Sequence, residues 1–411
     1  MATINNIINV NSSYSHTTDL ADLTSVELKM WIYRGTQGVG VAEGVILGAS
    51  NDRPIGATYI LKGTAVANGS TNITSFEIAS LIKDFIESNF NESYVGTNTV
   101  WVDIQAQKNV GGVTTDLASE QYLGLDGYEY QTDVVEDYNN VIRLSTRHIL
   151  KSSEQAVSIP VLRQKMIGYS FERSGQSISS GVLSDFSSSN ESDNQIVYLN
   201  NVSSNLTSFR QRVLDAQLGN RFENNKCLER VECDFEIFEV DKVVIEYDST
   251  LNTLTAEDIA VEVITFDNVM EHVYEPKKLT FVNKYGAYQD VWFFKNTARA
   301  LKVKSDTFNR RRLLTGDTTS RATKVRSNTI VNETLSLNSG FYPESNNSVF
   351  EELMQSNNVW LWSDEVNEFI RSEAHAVLIK DSSFNFKDGL TDKLINYSLT
   401  IEYAFNKMKQ L

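Results

Sequence analysis

Residues 26–33 alternate strictly, with Val26, Leu28, Met30 and Ile32 on one side of an extended chain and Glu27, Lys29, Trp31 and Tyr33 on the other. A period of two over such a run predicts a β-strand. The pattern returns at Val100, Val102, Ile104 and Ala106 against Trp101, Asp103 and Gln105, which reads as a half-buried strand. Its cleanest instance closes the chain. There Ile395, Tyr397, Leu399, Ile401, Tyr403 and Phe405 alternate with Asn396, Ser398, Thr400, Glu402 and Ala404. A strand so amphipathic needs a pairing partner in this chain or another. Shorter extended runs fall at 45–47, 58–61, 122–130, 157–161, 235–247, 259–266, 291–294, 359–362 and 376–379. Val325, Thr329, Val331, Leu335 and Leu337 share one parity along a further polar-alternating segment. Gly35, Gly38 and Gly40 mark a turn after the first strand.

Helical periodicity is rarer. Thr74-Ser75-Phe76-Glu77 has the form of a capping box, Ile73 and Ile78 the form of a hydrophobic staple, and Ile78, Leu81, Ile82, Phe85 and Ile86 make one apolar face. Ser348-Val349-Phe350-Glu351 is a second box, with Phe350, Leu353 and Met354 facing a core. Residues 206–218 form a weaker helical patch. Ser and Asn crowd 174–208, which reads as an exposed loop, or as an insertion that orders on assembly.

These elements predict a mainly β chain with a few helices, built of β-sandwich- or barrel-like domains. The length, 411 residues, accommodates two or three cores. The expected division is 1–165, a sandwich-like domain with one helix; 166–230, a polar insertion or linker; and 231–411, a β-rich assembly domain. Only Pro54, Pro160, Pro276 and Pro343 occur. Average usage would give roughly 20, and long strands that need every ladder donor explain the depletion.

A net charge of −16 opposes general nucleic-acid binding. No run of about 18 apolar residues predicts a membrane-spanning helix, and no basic-then-apolar leader opens the chain. Cys227 and Cys233 fit no zinc pattern and are expected as reduced thiols, consistent with assembly inside a cell. The histidines, His16, His148, His272 and His375, lie far apart in sequence. Glu271-His272 and Glu373/His375 could each offer one metal ligand, but surface histidines are the expectation. No Walker A sequence, Rossmann glycine pattern or serine-hydrolase elbow is present. Asp133/Glu136/Asp137 and Glu229/Glu232/Asp234 are the acidic groupings that acid–base work would use. The expectation is no enzyme, no cofactor and no bound metal.

One charge feature is concentrated. Lys295, Arg299, Lys302, Lys304, Arg310, Arg311, Arg312, Arg321, Lys324 and Arg326 face only Asp306 and Asp317 within 295–326, so the segment carries +8 and the remainder −24. Three readings are open: a dock for the acidic surface of a neighbour, a phosphate-contacting arm, or a solvated hairpin.

Residues 280–405 resemble tail-associated structural proteins of tailed phages infecting Bacteroidota hosts. The resemblance rests on Asn283-Lys284-Tyr285-Gly286-Ala287-Tyr288, on the aromatic run 291–294, on 344–354 and on 394–404. It implies a homo-oligomeric, β-rich part of a tail tube, neck or baseplate without enzymatic activity, located in the virion and assembled in the host cytoplasm. Its partners would be copies of itself and other virion proteins, with passing contact to DNA in a lumen and no membrane insertion. Alternatives are a capsid-associated protein, a receptor- or carbohydrate-binding sandwich stacking sugars on Trp31, Trp101, Trp360 and Trp362, and a hydrolase using an acidic pair.

Overall fold

The computed structural model describes residues 7–34, 53–86, 90, 94, 99–117, 119–130, 141–152, 155–162, 166–182, 196–200, 240–248, 259–271, 273–309, 324–362, 374–381 and 394–405. Strands hold 66% of these residues and helices 7%, so the chain is a β protein of several sheets.

The amino-terminal sheet orders β1 (Ile7–Asn9), β9 (Glu120–Leu125), β7 (Thr99–Val110), β3 (Leu23–Tyr33) and β4 (Tyr59–Thr64), with β8 (Val113–Asp116) also on β7. A three-stranded sheet of β2 (Ser15–Leu20), β6 (Thr71–Glu77) and β5 (Val66–Asn68) lies against one face. Val26, Leu28, Met30, Ile32, Val100, Val102 and Ile104 fill the space between them. The opposite face is buried too. Trp31, Tyr33, Trp101, Leu123 and Leu125 pack on Leu162, Ile196 and Ala287 from later in the chain. The expected half-buried strand at 100–106 is therefore covered on both sides: Asp103 and Gln105 are buried beside Trp101.

The first capping box does not form. Thr74 sits inside β6 opposite Thr18, because the ladder satisfies the backbone groups a cap would serve. The helix that follows, α1 (Ala79–Lys83), starts after Ile78 with no side-chain cap from that residue. Glu77 still serves the helix start, accepting the Ala79 N–H at 3.1 Å. Ile78 and Ile82 are buried, with Leu81, Phe85 and Ile86 packed beside them, so the apolar face is as expected.

A five-stranded sheet orders β10 (His148–Ser152), β16 (Ile259–Val269), β15 (Lys242–Asp248), β12 (Met166–Arg173) and β13 (Gln176–Val182). A hairpin pairs β11 (Ser158–Leu162) with β14 (Ile196–Asn200). Thus the segment read as linker contributes three strands, and the Ser-rich stretch from 176 to 182 is paired rather than looped. Residues 183–195 and 201–239, with the 206–218 patch, both cysteines and Glu229/Glu232/Asp234, lie outside the described residues, as do 35–52 and Asp133/Glu136/Asp137.

The carboxy-terminal sheet has seven antiparallel strands in the order β18 (Tyr288–Phe293), β17 (Lys277–Val282), β21 (Val359–Trp362), β22 (Ala374–Ile379), β23 (Leu394–Tyr403), β20 (Lys324–Pro343) and β19 (Ala298–Asn309). The closing strand finds its partners in this chain, between β20 and β22. One continuous core joins this sheet to the five-stranded sheet and to β11, through residues such as Phe171, Ile245, Ile264, Phe281, Trp292, Leu337 and Ile401. α2 (Asn347–Gln355) drops Val349, Phe350 and Leu353 into it. The second capping box is also absent. Ser348 lies within the helix, and its hydroxyl donates to the Ser145 carbonyl at 3.4 Å.

Candidate functional site

The described parts of the basic segment, 295–309 and 324–326, belong to a β-arm and its root. β19 pairs with β20 from Ala298↔Ser336 to Asn309↔Lys324, whereas β23 pairs with β20 only from Thr334 onward. Residues 324–333 and their partners on β19 therefore run past the third strand as a two-stranded ribbon, roughly 30 Å long at the strand rise. Asn328, at φ +50°, sits where the register shifts between Lys304 and Asp306. Its side chain donates to Asp306 Oδ2 at 3.1 Å.

The ten cations do not act alike. Lys295, at the root, is 2.5 Å from Glu271 Oε2. Its hydrogen bond lowers the pKa of the Glu271 carboxyl, helped by the Val273 N–H. Arg299 pairs with Glu333. Lys302, Lys304, Lys324 and Arg326 lie farther out on the ribbon, and Arg310, Arg311, Arg312 and Arg321 fall outside the described residues. The arm is not only charged. Leu301 is 56% exposed, Val303 44%, Phe308 48% and Ile330 43%. Opposed residues share a face, so Leu301 and Val303 stand with Val331 on one side and Lys302, Lys304, Ile330 and Asn332 on the other. Both faces thus carry exposed aliphatic groups, which a ribbon meant only for water does not need.

The segment Asn283–Tyr288 makes the turn from β17 into the start of β18, and all of it but half-buried Lys284 is buried. Asn283 organises it. Its Oδ1 accepts the N–H groups of Tyr285 and Ala287 at 3.0 and 3.1 Å, and its Nδ2 donates to the Arg143 carbonyl and to Gln289 Oε1, both at 2.8 Å. Gly286 has φ +72°. A Cβ there would stand 2.9 Å from the Asp126 nitrogen and 3.0 Å from that of Gly127. The turn is thereby pressed onto 126–128, and the Tyr128 N–H donates to the Lys284 carbonyl at 2.9 Å. This contact explains why the extended reading of 122–130 holds only as far as Leu125. The aromatic motif is a joint between the amino-terminal sheet and the main core.

Other ionisable groups are held within the chain. Asp290 accepts from Tyr94 Oη at 2.7 Å and Thr280 Oγ1 at 2.5 Å. Lys278 Nζ donates to Tyr94 Oη at 3.2 Å and lies 4.0 Å from the Trp362 ring centre. Burial raises the Asp290 pKa, against the nearby lysine, and lowers that of Lys278. Arg53 lies 3.3 Å from Asp103 and stacks at 3.9 Å on Trp31. Burial pushes Asp103 up to about 6, with Arg53 opposing. His16 is buried 3.7 Å from Glu120, and burial lowers its pKa. His148 bonds Thr265 Oγ1 and Asp267 Oδ2, each at 2.9 Å. His375 contacts the rings of Tyr403 and Phe405. His272 and Glu373 are outside the described residues. Among the described residues no group of three or more His, Cys, Asp or Glu side chains could hold a metal, and no helix is long and apolar enough to cross a membrane.

Three of the four tryptophans expected as sugar platforms are buried. Trp31 and Trp101 fill the space between sheets, Trp360 is buried against Tyr288 and Phe90, and half-buried Trp362 stacks on Tyr94. The three buried rings offer no free face for stacking. A groove of about 200 Å³ does open between the amino-terminal sheet and the end of α2, lined by Asn11, Asp126, Tyr128, Val282 and residues 355–358, with no tryptophan in its wall. No family model matches the chain, and no curated protein is detectably similar to it.

Proposed function

We propose that this chain is a structural subunit of a phage virion, placed in a tail tube, neck or baseplate. In this reading it works by homo-oligomeric assembly and by docking to neighbouring virion proteins, not by catalysis. The observation that carries the reading is the arm β19–β20. It is a two-stranded extension beyond the sheet, aliphatic on both faces and cationic along its length, on a chain whose remainder is strongly acidic. An extension of this kind leaves strand edges exposed, a liability that is removed when a neighbour covers them. The multi-sheet core behind the arm supplies the rigidity a repeated part needs, and the charge opposition sets orientation on approach.

The test is light scattering on chromatographed protein at about 50 mM and 1 M salt, with negative-stain imaging. At 1 M salt exposed charges interact over only about 3 Å, so rings or stacked tubes should form at low salt and come apart at high salt. Lys302→Glu with Lys304→Glu should shift the low-salt protein toward monomer. A wild-type chain that stays monomeric in both salts, with no rings in the images, overturns the reading.

A further inference from the structure

We propose that the outward face of β15–β16 is the seat for the arm of a second copy of this chain. This rests on the assembly reading and adds to it the surface the arm meets. Along β16 the inward residues Ile264 and Phe266 are buried, as the core requires. The outward ones should be polar if they face water. Instead Ile259, Val261 and Val263 follow one another on that face, 41%, 57% and 42% exposed, and half-buried Val244 lies directly across from Val263. Leu301 and Val303 repeat at the same two-residue spacing on the arm, with Val331 opposite Val303. Two aliphatic rows of equal repeat can interdigitate as packed sheets do, at about 10 Å between layers.

Charge selects the same pairing. Glu246 lies across from Val261, and Asp267 follows the stripe on the outward side of β16. Beyond the aliphatic row, Arg326 lies opposite Thr307 and Lys324 opposite Asn309, which puts both exposed cations on the Leu301/Val303 side of the arm, whereas Lys302 and Lys304 stand on the other side. The occupant is another copy rather than the chain's own arm, because both aliphatic rows are exposed in one and the same chain. The −24 borne outside the arm segment supplies the counter-charge without a different protein. A contact from arm to sheet face joins unlike surfaces, so it propagates head to tail and ends in a closed ring or a tube.

Three full-length variants test this: an arm reversal (Lys324→Glu, Arg326→Glu), a face reversal (Glu246→Lys, Asp267→Lys) and their combination. Circular dichroism checks that each is folded. Each reversal alone should raise the concentration needed for half-assembly about tenfold, and the combination should bring it back to within about threefold of wild type. Because Asp267 also holds His148, a second face variant, Val261→Ser, removes aliphatic contact without changing charge and should weaken assembly in the same direction. If the arm reversal dissociates the assembly while both face variants assemble like wild type, the seat lies elsewhere and the assembly reading stands. A combination no better than either reversal also overturns the seat. A wild-type chain that never self-associates removes both.

Discussion

Gly286→Ala puts a methyl group where the amino-terminal sheet meets the β17–β18 turn. Two costs add. The residue stands at φ +72°, where an L side chain crowds the following carbonyl oxygen, at about 1 kcal/mol. The new Cβ would also approach the Asp126 and Gly127 backbone to 2.9–3.0 Å. Backbone cannot rotate aside as a side chain can, so the 126–128 segment has to move away from the turn. That movement strains the Tyr128 N–H···O Lys284 hydrogen bond and the Asn283 cluster beside it, each bond worth about 1 kcal/mol net. The expected loss is about 2–4 kcal/mol. Gly69→Ala is the control. Gly69 has a similar φ of +64° but no atom within 4 Å of the Cβ position, so it should lose only the conformational part, about 1 kcal/mol. Urea unfolding followed by tryptophan fluorescence, at low protein concentration in high salt, compares the two with wild type. Equal losses in the two variants would refute the argument that the turn is clamped against the amino-terminal sheet.

Two more outcomes follow from buried charge. Burial pushes the Glu352 carboxyl up to about 7, against the Ser145 hydroxyl, the Lys284 N–H and the Lys284 charge that favour its ionised form. The folded chain therefore holds a proton that the unfolded chain releases near 4.5, so this stabilisation is complete below that value and is lost as pH rises toward 7. At about 1.4 kcal/mol per unit the site costs at most about 3 kcal/mol across the window, and Glu352→Gln should flatten the stability–pH curve there; parallel curves would contradict the assignment. Asp290→Ala leaves the buried Lys278 without its counter-charge and should destabilise the fold by about 3–5 kcal/mol, whereas Asp290→Asn with Lys278→Met should recover most of that. A double variant as unstable as the single one would show that the ion pair is not the source of the loss.

What could be read locally was the period. Strict alternation identifies β3, β7 and β23 because successive side chains of a strand point to opposite faces whatever surrounds them. The concentration of ten cations within 295–326 was legible, though not how their strands pair, and so was the short face of α1, as apolar residues at helical spacing. Local signals misled where two structures compete for the same backbone groups: Thr74 and its neighbours spell a helix cap, yet the ladder to β2 takes them. They misled again at 166–182. Serines at 170, 177, 179 and 180 look like loop, while their backbone is satisfied by β12, β13 and β15.

The tertiary structure alone decided what covers each face and where each pairing stops. Alternation shows that Trp31 and Trp101 lie opposite Met30 and Val102, but Leu162, Ile196 and Ala287 come from far along the chain to bury them. Asp290 meets Tyr94, 196 positions away, and no local pattern encodes that distance. The arm exists as an arm because β23 stops pairing with β20 at Thr334, so among the described residues the strands beyond it have no third. Periodicity is a property of neighbouring residues, whereas burial, buried ion pairs and sheet edges are set by contacts between distant ones. The sequence by itself therefore determined the kind of elements, and the packing determined which of their surfaces remain open for a partner.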